Sequence, residues 1–377
     1  MFQVLFWFSV GFVGYAYVGY PLILMAIAAL RSRPVSKGPI RPRVTFIITA
    51  YNEERRIAAK LQNALQLSYP PSQLQILVAS DCSNDGTDEM VRRFGDRGIS
   101  LIRASERKGK EAAQKLGVQA AKGDILVFSD VATVLEPNAL ANIVENFADP
   151  TVGCVSSEDR FLERDGTISG EGAYIRYEML LRRLETEVNT VVGLSGSFFA
   201  ARREVCGQWA DDLQSDFNTL LNSIKLGMRG VSDPASIGYY QNLRDERKEF
   251  ERKVRTILRG LSVFMTSWRM VNPIRYGLFS WQLLSHKLCR WLVPFALIVV
   301  LFSNALLASE SAFYRVTFIA QIVFYCLALG SLMIKLPSSS SYFKIPAFFV
   351  LVNWSILTAW YRYFRGDRMV AWEPSKR

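Results

Sequence analysis

Between Val78 and Met90 the chain reads VASDCSNDGTDEM, an apolar run that breaks off into Asp81, Asp85 and Asp88. A second apolar run, DILVFSD, ends the same way in Asp130. Carboxylates just past a buried strand suit two kinds of chemistry. They hydrogen-bond a sugar or a base, or they hold a divalent cation against phosphates. The plainer alternative is that they cap a helix or shape a turn. It applies most directly to Asp85, since Asn84-Asp85-Gly86 is good turn chemistry. Asp81 and Asp130 occupy matched places after two strands, which favours function.

The elements that must position them alternate. RVTFIITAYN, LQILVAS, ISLIRA and DILVFSD read as strands. EERRIAAKLQNALQL, GTDEMVRRF and KGKEAAQKLGVQAAKG repeat apolar residues at helical spacing, with PPSQ as a breaker. Strands separated by helices of this length predict an α/β fold, a mostly parallel sheet with helices on both faces. Ligands of such sheets bind beyond the carboxyl ends of the strands. Thr49, Asp81 and Asp130 should therefore line one crevice.

Half of the 377 residues are hydrophobic, and they are unevenly spread. Leu5–Leu30 carries no charge and is long enough to cross a hydrocarbon core of about 30 Å. Trp291–Ala308, Ala312–Ile334 and Tyr342–Trp360 are three further candidate spans. A cleaved signal peptide fits the first run less well, because its basic residues follow it rather than precede it. The net charge of +11 is concentrated at membrane flanks: Arg31, Arg33, Lys37, Arg41 and Arg43 after the first run, and Arg244–Arg259 before the next. That distribution points to anionic lipid and the positive-inside rule and away from nucleic acid. It places the block after the first span in the cytoplasm. With four spans the arginine-rich tail YRYFRGDRMVAWEPSKR ends outside, against that rule, unless the last run lies along the membrane or one run is not a span. Five cysteines without a CxxC, and His286 as the only histidine, argue against a disulfide framework, a zinc site and histidine catalysis. No strand is followed by GxGxxG, which sets aside a dinucleotide-dependent oxidoreductase.

The ordered pieces TAYNEE, SDCSNDGT, RKGKEAAQKLG, GDILVFSDVAT, SGSFFAARRE and SDFNTLLNSIKLGMRG cover nearly all of 43–260. In that order the chain resembles a family 2 glycosyltransferase, the inverting, nucleotide-sugar-dependent type with a GT-A fold, related to bacterial polysaccharide synthases. The resemblance implies that Thr49, Tyr51, Glu53 and Asp81 cradle the nucleoside, with Asp81 facing the base. It puts Lys108 and Lys110 near the diphosphate and makes Asp130 the first acid of a DxD element holding Mg2+ or Mn2+. Arg252 and Arg255 would also bind donor; Ser195, Gly196 and Asp212 would face the acceptor. Asp216, in QSD, would be the general base, with Asp211 and Asp212 as rivals. The run EGAYIRYEMLLRRLETEVNTVVG would be an acceptor-side helix, with Glu178, Glu185 and Glu187 facing either acceptor or solvent, solvent being the preferred reading.

Two departures stand out. The DxD element reads Asp130-Val131-Ala132, so its second acid is missing. The QxxRW signature of processive synthases is replaced by Arg252-Lys253-Val254-Arg255-Thr256. Lys248 and Lys253 suit a basic interfacial helix equally well. The expected organisation is an N-terminal transmembrane helix (1–34), a cytoplasmic catalytic domain (40–240), amphipathic interface helices (241–289), about three transmembrane helices (290–362) and a tail (363–377). The expected activity moves one sugar, from a UDP-linked donor first of all, to a glycan or polyprenyl-lipid acceptor in cell-surface polysaccharide biosynthesis at the plasma membrane. Polysaccharide-assembly proteins are possible partners. Processive synthesis with extrusion of the polymer, or a catalytically silent nucleotide-binding subunit of an export complex, are the alternatives.

Overall fold

The computed structural model describes residues 1–162, 173–241, 246–334 and 341–367. At the N-terminus α1 (Phe2–Gly14) and α2 (Tyr20–Leu30) are joined by a π-helical turn, Tyr15–Gly19. Strands and helices then alternate: β1 (Val44–Ala50), α3 (Glu54–Leu65), β2 (Leu74–Ser80), α4 (Thr87–Arg92), β3 (Ile99–Arg103), α5 (Lys110–Ala120) and β4 (Ile125–Asp130). Next come β5 (Val134–Leu135), α6 (Ala139–Glu145), β6 (Val152–Leu162), α7 (Ala173–Val188), β7 (Phe198–Arg202), α8 (Ser215–Lys225) and β8 (Arg229–Gln241). The remainder is helical: α9 (Glu246–Thr266), α10 (Pro273–Tyr276), α11 (Leu278–Leu283), α12 (Arg290–Leu307), α13 (Ala312–Ile334) and α14 (Ser341–Phe364). Contacts divide the chain into two units. One holds Met1–Ile23, Arg244–Leu261 and Ser280–Arg368; the other holds Leu24–Leu243 and Ser262–Phe279.

In the second unit eight strands form one sheet in the order β3-β2-β1-β4-β7-β6-β8-β5. β1, β2, β3 and β4 run parallel, which is why they need helical crossovers, and why the central β1 is buried at every position. β7 then inserts antiparallel between β4 and β6. The core gathers Phe46, Ile48, Val78, Val127 and Phe198 from the sheet, with Ile57 and Leu61 from α3 and Ile143 from α6. Burying each such large apolar side chain contributes roughly 1.5–3 kcal/mol. α3 sends Ile57, Lys60, Leu61 and Ala64 inward, the three-to-four residue spacing of one helical face. The fold matches the expected mixed, mostly parallel sheet.

In the first unit, Phe6, Val300, Leu307 and Tyr314 form an apolar cluster, and the Trp360 indole donates to the Trp291 carbonyl at 3.0 Å. Among the described residues three helices are long and apolar enough to cross a membrane: Phe2–Leu30, Leu278–Leu307 and Ala312–Gly330. α14, at the place of the fourth expected span, is a helix of 24 residues whose first four side chains lie outside the described residues. α11 runs through a π-helical turn, Leu284–Cys289, straight into α12. His286 lies buried in that turn, with Tyr20 as an aromatic neighbour at 6.1 Å. The tail beyond Asp367 and the side chain of Lys248 lie outside the described residues.

Candidate active site

Parallel register brings the strand ends together. Thr49, at the end of β1, pairs with Asp130 at the end of β4, and the Asp81 amide donates to the Ala50 carbonyl at 2.9 Å. The chain turns sharply after β1 and again after β2. Asn52 (φ 51°) and Cys82 (φ 58°) both adopt the left-handed region, sparsely used by non-glycine residues. The turns brace each other: the Asn52 amide donates to Ser83 Oγ, and the Asn84 amide to Asn52 Oδ1 at 2.9 Å. Strain of this kind collects where function requires it.

The three aspartates after β2 separate into different jobs. Asp85 accepts from the Thr87 hydroxyl and from the amides of Thr87 and Glu54. Burial alone would raise its carboxyl, but those three donors hold it below its ordinary value. Asp88 is ion-paired with Arg103. Both shape the turn and the start of α4. Asp81 is fully buried, and its two oxygens accept from the Lys108 and Gly109 amides at 2.9–3.1 Å. Burial pushes its carboxyl up, against the pull of those two amides. Gly109 makes this possible: at φ 102° it turns both amides toward one carboxylate, a conformation that side-chain-bearing residues resist. Asp81 thus anchors the loop that leads into α5. Within that loop the Arg107 guanidinium lies 4.0 Å from the centre of the Tyr51 ring, and Lys108 pairs with Glu106 at 2.6 Å.

Lys110, the first residue of α5, connects this anchor to the rest of the site. Its ammonium donates to Asp130 Oδ1 at 2.5 Å and to the Gly196 carbonyl at 2.9 Å. Gly196 in turn lies against Asp216: a Cβ built on it would stand 2.5 Å from Asp216 Oδ2. Asp130, Lys110, Gly196 and Asp216 therefore form one continuous cluster, reached from Asp81 through a two-residue loop. Asp216 sits in the first turn of α8, nearly buried, with Oδ1 accepting from the Phe217 amide and Oδ2 from Gln214. Asp211 is drawn away by Lys115 at 2.9 Å, whose hydrogen bond holds its carboxyl low, and Asp212 is exposed. Glu53 is buried, with Arg56 at 2.6 Å. Burial raises its carboxyl, Arg56 opposes that, and the negative charges of Asp130 and Asp85 add to the rise.

Other expected residues fall differently. Ser195 is 2% exposed and its hydroxyl is shared with Asp159 and Ser197, so Gly196 and Ser197 form the more open part of that wall. Glu185, expected at solvent, is fully buried and accepts from the Val192 amide, because it must satisfy the loop that leads into β7. Arg252 and Arg255 are carried on α9 in the other unit. Lys253 pairs with Glu249 at 3.1 Å and lies over the Phe348 ring.

Two residues escaped sequence reasoning. Asp159 accepts from Ser195 and Ser197, and the Ser197 carbonyl accepts from the Asp130 amide. The polar run SSED inside β6 was its only local signal. Lys60 is buried under Asp130, donating to Ser129 Oγ at 2.8 Å and to the Thr133 carbonyl at 2.6 Å. Burial pushes its ammonium down to about 7, and Asp130 partly offsets that.

Among the described residues no three acidic, histidine or cysteine side chains converge on a cation. Asp130 does keep its second oxygen clear of described hydrogen-bond partners, and its side chain is 25% exposed. That fits the sparse kind of site in which one carboxylate shares Mg2+ or Mn2+ with substrate phosphates and water.

Comparison with known proteins agrees with this architecture. Residues 45–209 match the glycosyl transferase family 2 domain. Poly-beta-1,6-N-acetyl-D-glucosamine synthase of Staphylococcus aureus (strain COL) is 28% identical over 195 residues, covering 50% of this chain and 46% of that protein. The synthase of Staphylococcus epidermidis is 24% identical over 178 residues, covering 45% and 42%. The chain thus matches about half the length of these curated relatives. The solved structure of mannosyltransferase PcManGT from Pyrobaculum calidifontis, in complex with GDP-Man and Mn2+, superposes with a TM-score of 0.74 at 22% identity, over 97% of this chain and 100% of that one. The fold is therefore GT-A-like, and residues 45–209 of this chain carry its likeness to the glycosyl transferase family 2 domain.

Proposed function

We propose that this chain is a membrane-bound inverting glycosyltransferase. It moves a sugar from a nucleoside-diphosphate donor, with UDP-sugars the first class to test, to a glycan or polyprenyl-lipid hydroxyl in cell-surface polysaccharide synthesis. The observation that carries the reading is the Asp130–Lys110–Gly196–Asp216 cluster. It sets one positive and two negative groups at the strand ends where a diphosphate and an acceptor would meet.

In the reaction, Asp216 takes the proton of the acceptor hydroxyl as its oxygen attacks the anomeric carbon from the face opposite the leaving group. The bond from that carbon to the diphosphate oxygen breaks, the configuration inverts, and nucleoside diphosphate departs with its electron pair. Lys110 meets the growing charge on the diphosphate. A divalent cation held by Asp130 and the phosphates would supply further neutralisation; the Mn2+ and GDP-Man of the mannosyltransferase relative support that part of the reading. Tyr51, Glu53 and Asp81 border the nucleoside side.

Three apolar helices and the basic residues after Leu30 support attachment to the plasma membrane with the catalytic domain cytoplasmic. If α14 lies along the membrane, Arg362 and Arg365 stay on that same side, as the positive-inside rule requires. Asp216→Asn tests the assignment. In purified full-length protein supplied with UDP- and GDP-sugars and Mn2+, the variant should lose sugar transfer and retain nucleotide binding. A wild type that binds nucleotide but never turns over donor would instead identify a silent subunit.

A further inference from the structure

A cavity of about 210 Å³ lies between the end of α7, the turn from α8 to β8, and the residues around α10. It is remote from Asp130 and Asp216. Arg229 opens β8 and sits at the start of the strands whose opposite ends carry the candidate active site. Along α8, the ten residues from Asp216 to Lys225 rise roughly 14 Å.

Its chemistry is one-sided. Arg33, Arg229 and Arg275 line it and no acidic residue does. Arg229 is 3% exposed. It donates to the Arg33 and Pro34 carbonyls and to Asp149, but its Nε has no partner among the described residues. Burial and the neighbouring Arg33 charge both disfavour its proton, and Asp149 offsets them only in part. The Arg33 and Arg275 side chains are exposed, and neither meets an acidic partner among the described residues; Arg275 lies over the Tyr276 ring. Buried and clustered guanidinium groups of this kind call for an anion.

Position identifies the source of that anion. Arg33 is the third residue after Leu30, the last of the N-terminal apolar helix, and three residues reach about 10 Å at most. That is the depth of a headgroup layer beside a hydrocarbon core. Around Arg275, Ile274 is 95% exposed and Trp268 59%, the apolar side chains of an interfacial surface. We propose that this cleft binds the phosphate of an anionic lipid headgroup. The inference rests on Phe2–Leu30 spanning the membrane, but not on sugar transfer.

The test uses full-length protein in detergent, titrated with phosphatidylglycerol, phosphatidylcholine or inorganic phosphate and read by native mass spectrometry. Wild type should retain one phosphatidylglycerol in preference to the other two probes. Arg33→Gln with Arg275→Gln should weaken that lipid roughly 30-fold, at about fivefold per arginine near an anionic surface. Each single variant should give part of the loss. Melting temperature checks the fold, and nucleotide affinity in the same samples should not change. Retention equal to wild type in the double variant overturns the proposal. So does inorganic phosphate or phosphatidylcholine binding as tightly as phosphatidylglycerol.

Discussion

Gly196→Ala isolates the position of Asp216 from its chemistry. The substitution changes no charge and keeps the carbonyl that accepts from Lys110. Gly196 is not in the left-handed region, so alanine fits its backbone. What it cannot do is leave Asp216 alone. The new methyl would stand 2.5 Å from Oδ2, where ordinary contact begins at 3.4 Å, so the carboxylate must retreat by nearly an ångström. A displacement of about 1 Å in a reacting group costs on the order of 100-fold, or ~2.7 kcal/mol of barrier. The measurement is nucleotide release at saturating donor and acceptor, alongside nucleotide affinity and thermal melting. The expected result is a ~100-fold lower kcat with affinity and melting close to wild type. A kcat within twofold of wild type would remove Asp216 from the reaction. A matching fall in nucleotide affinity would show that Gly196 serves the donor through Lys110 instead.

Asp81→Asn replaces an acceptor of two amides by a group that also presents a donor, and should loosen the 107–110 loop. Hydrogen bonds to a charged group contribute about 1.5–3 kcal/mol, so nucleotide affinity should fall roughly 10- to 100-fold, and calorimetry showing no loss would refute the anchoring role. Asp130→Ala should abolish any stimulation of turnover by Mn2+ or Mg2+ seen in wild type; stimulation that persists undiminished would dissociate the cation from Asp130. Lys60 holds its proton more weakly folded, about 7, than at its ordinary value of 10.5. Between these values the unfolded chain binds the extra proton, so stability should rise with pH across that window, while below about 7 the full cost of the buried charge is present. Melting curves from pH 7 to 9 should show this rise in wild type and not in Lys60→Met, and parallel slopes would count against it.

The sequence by itself determined the strands that end in Asp81 and Asp130, the helix of α3, and the apolar rod from Phe2 to Leu30. Each is written in a period or a run that a few neighbouring residues define, and parallel pairing of such strands leaves their carboxyl ends on one edge. Only the tertiary structure decided who meets whom there. Asp81 finds its partners at Lys108 and Gly109, and Asp159 reaches the site through β7 and the serines before it. Glu185 is internal because the chain closes over it, although its helix looks as polar there as a solvated face. The same holds for the division between Asp211 and Asp216, five residues apart and alike in type. Lys115 neutralises one of them, while the missing Cβ of Gly196 leaves room for the other. Local patterning depends on each residue's own hydropathy and backbone preference. Pairing depends on which distant groups folding brings within hydrogen-bond reach, and no short window of sequence carries that distance.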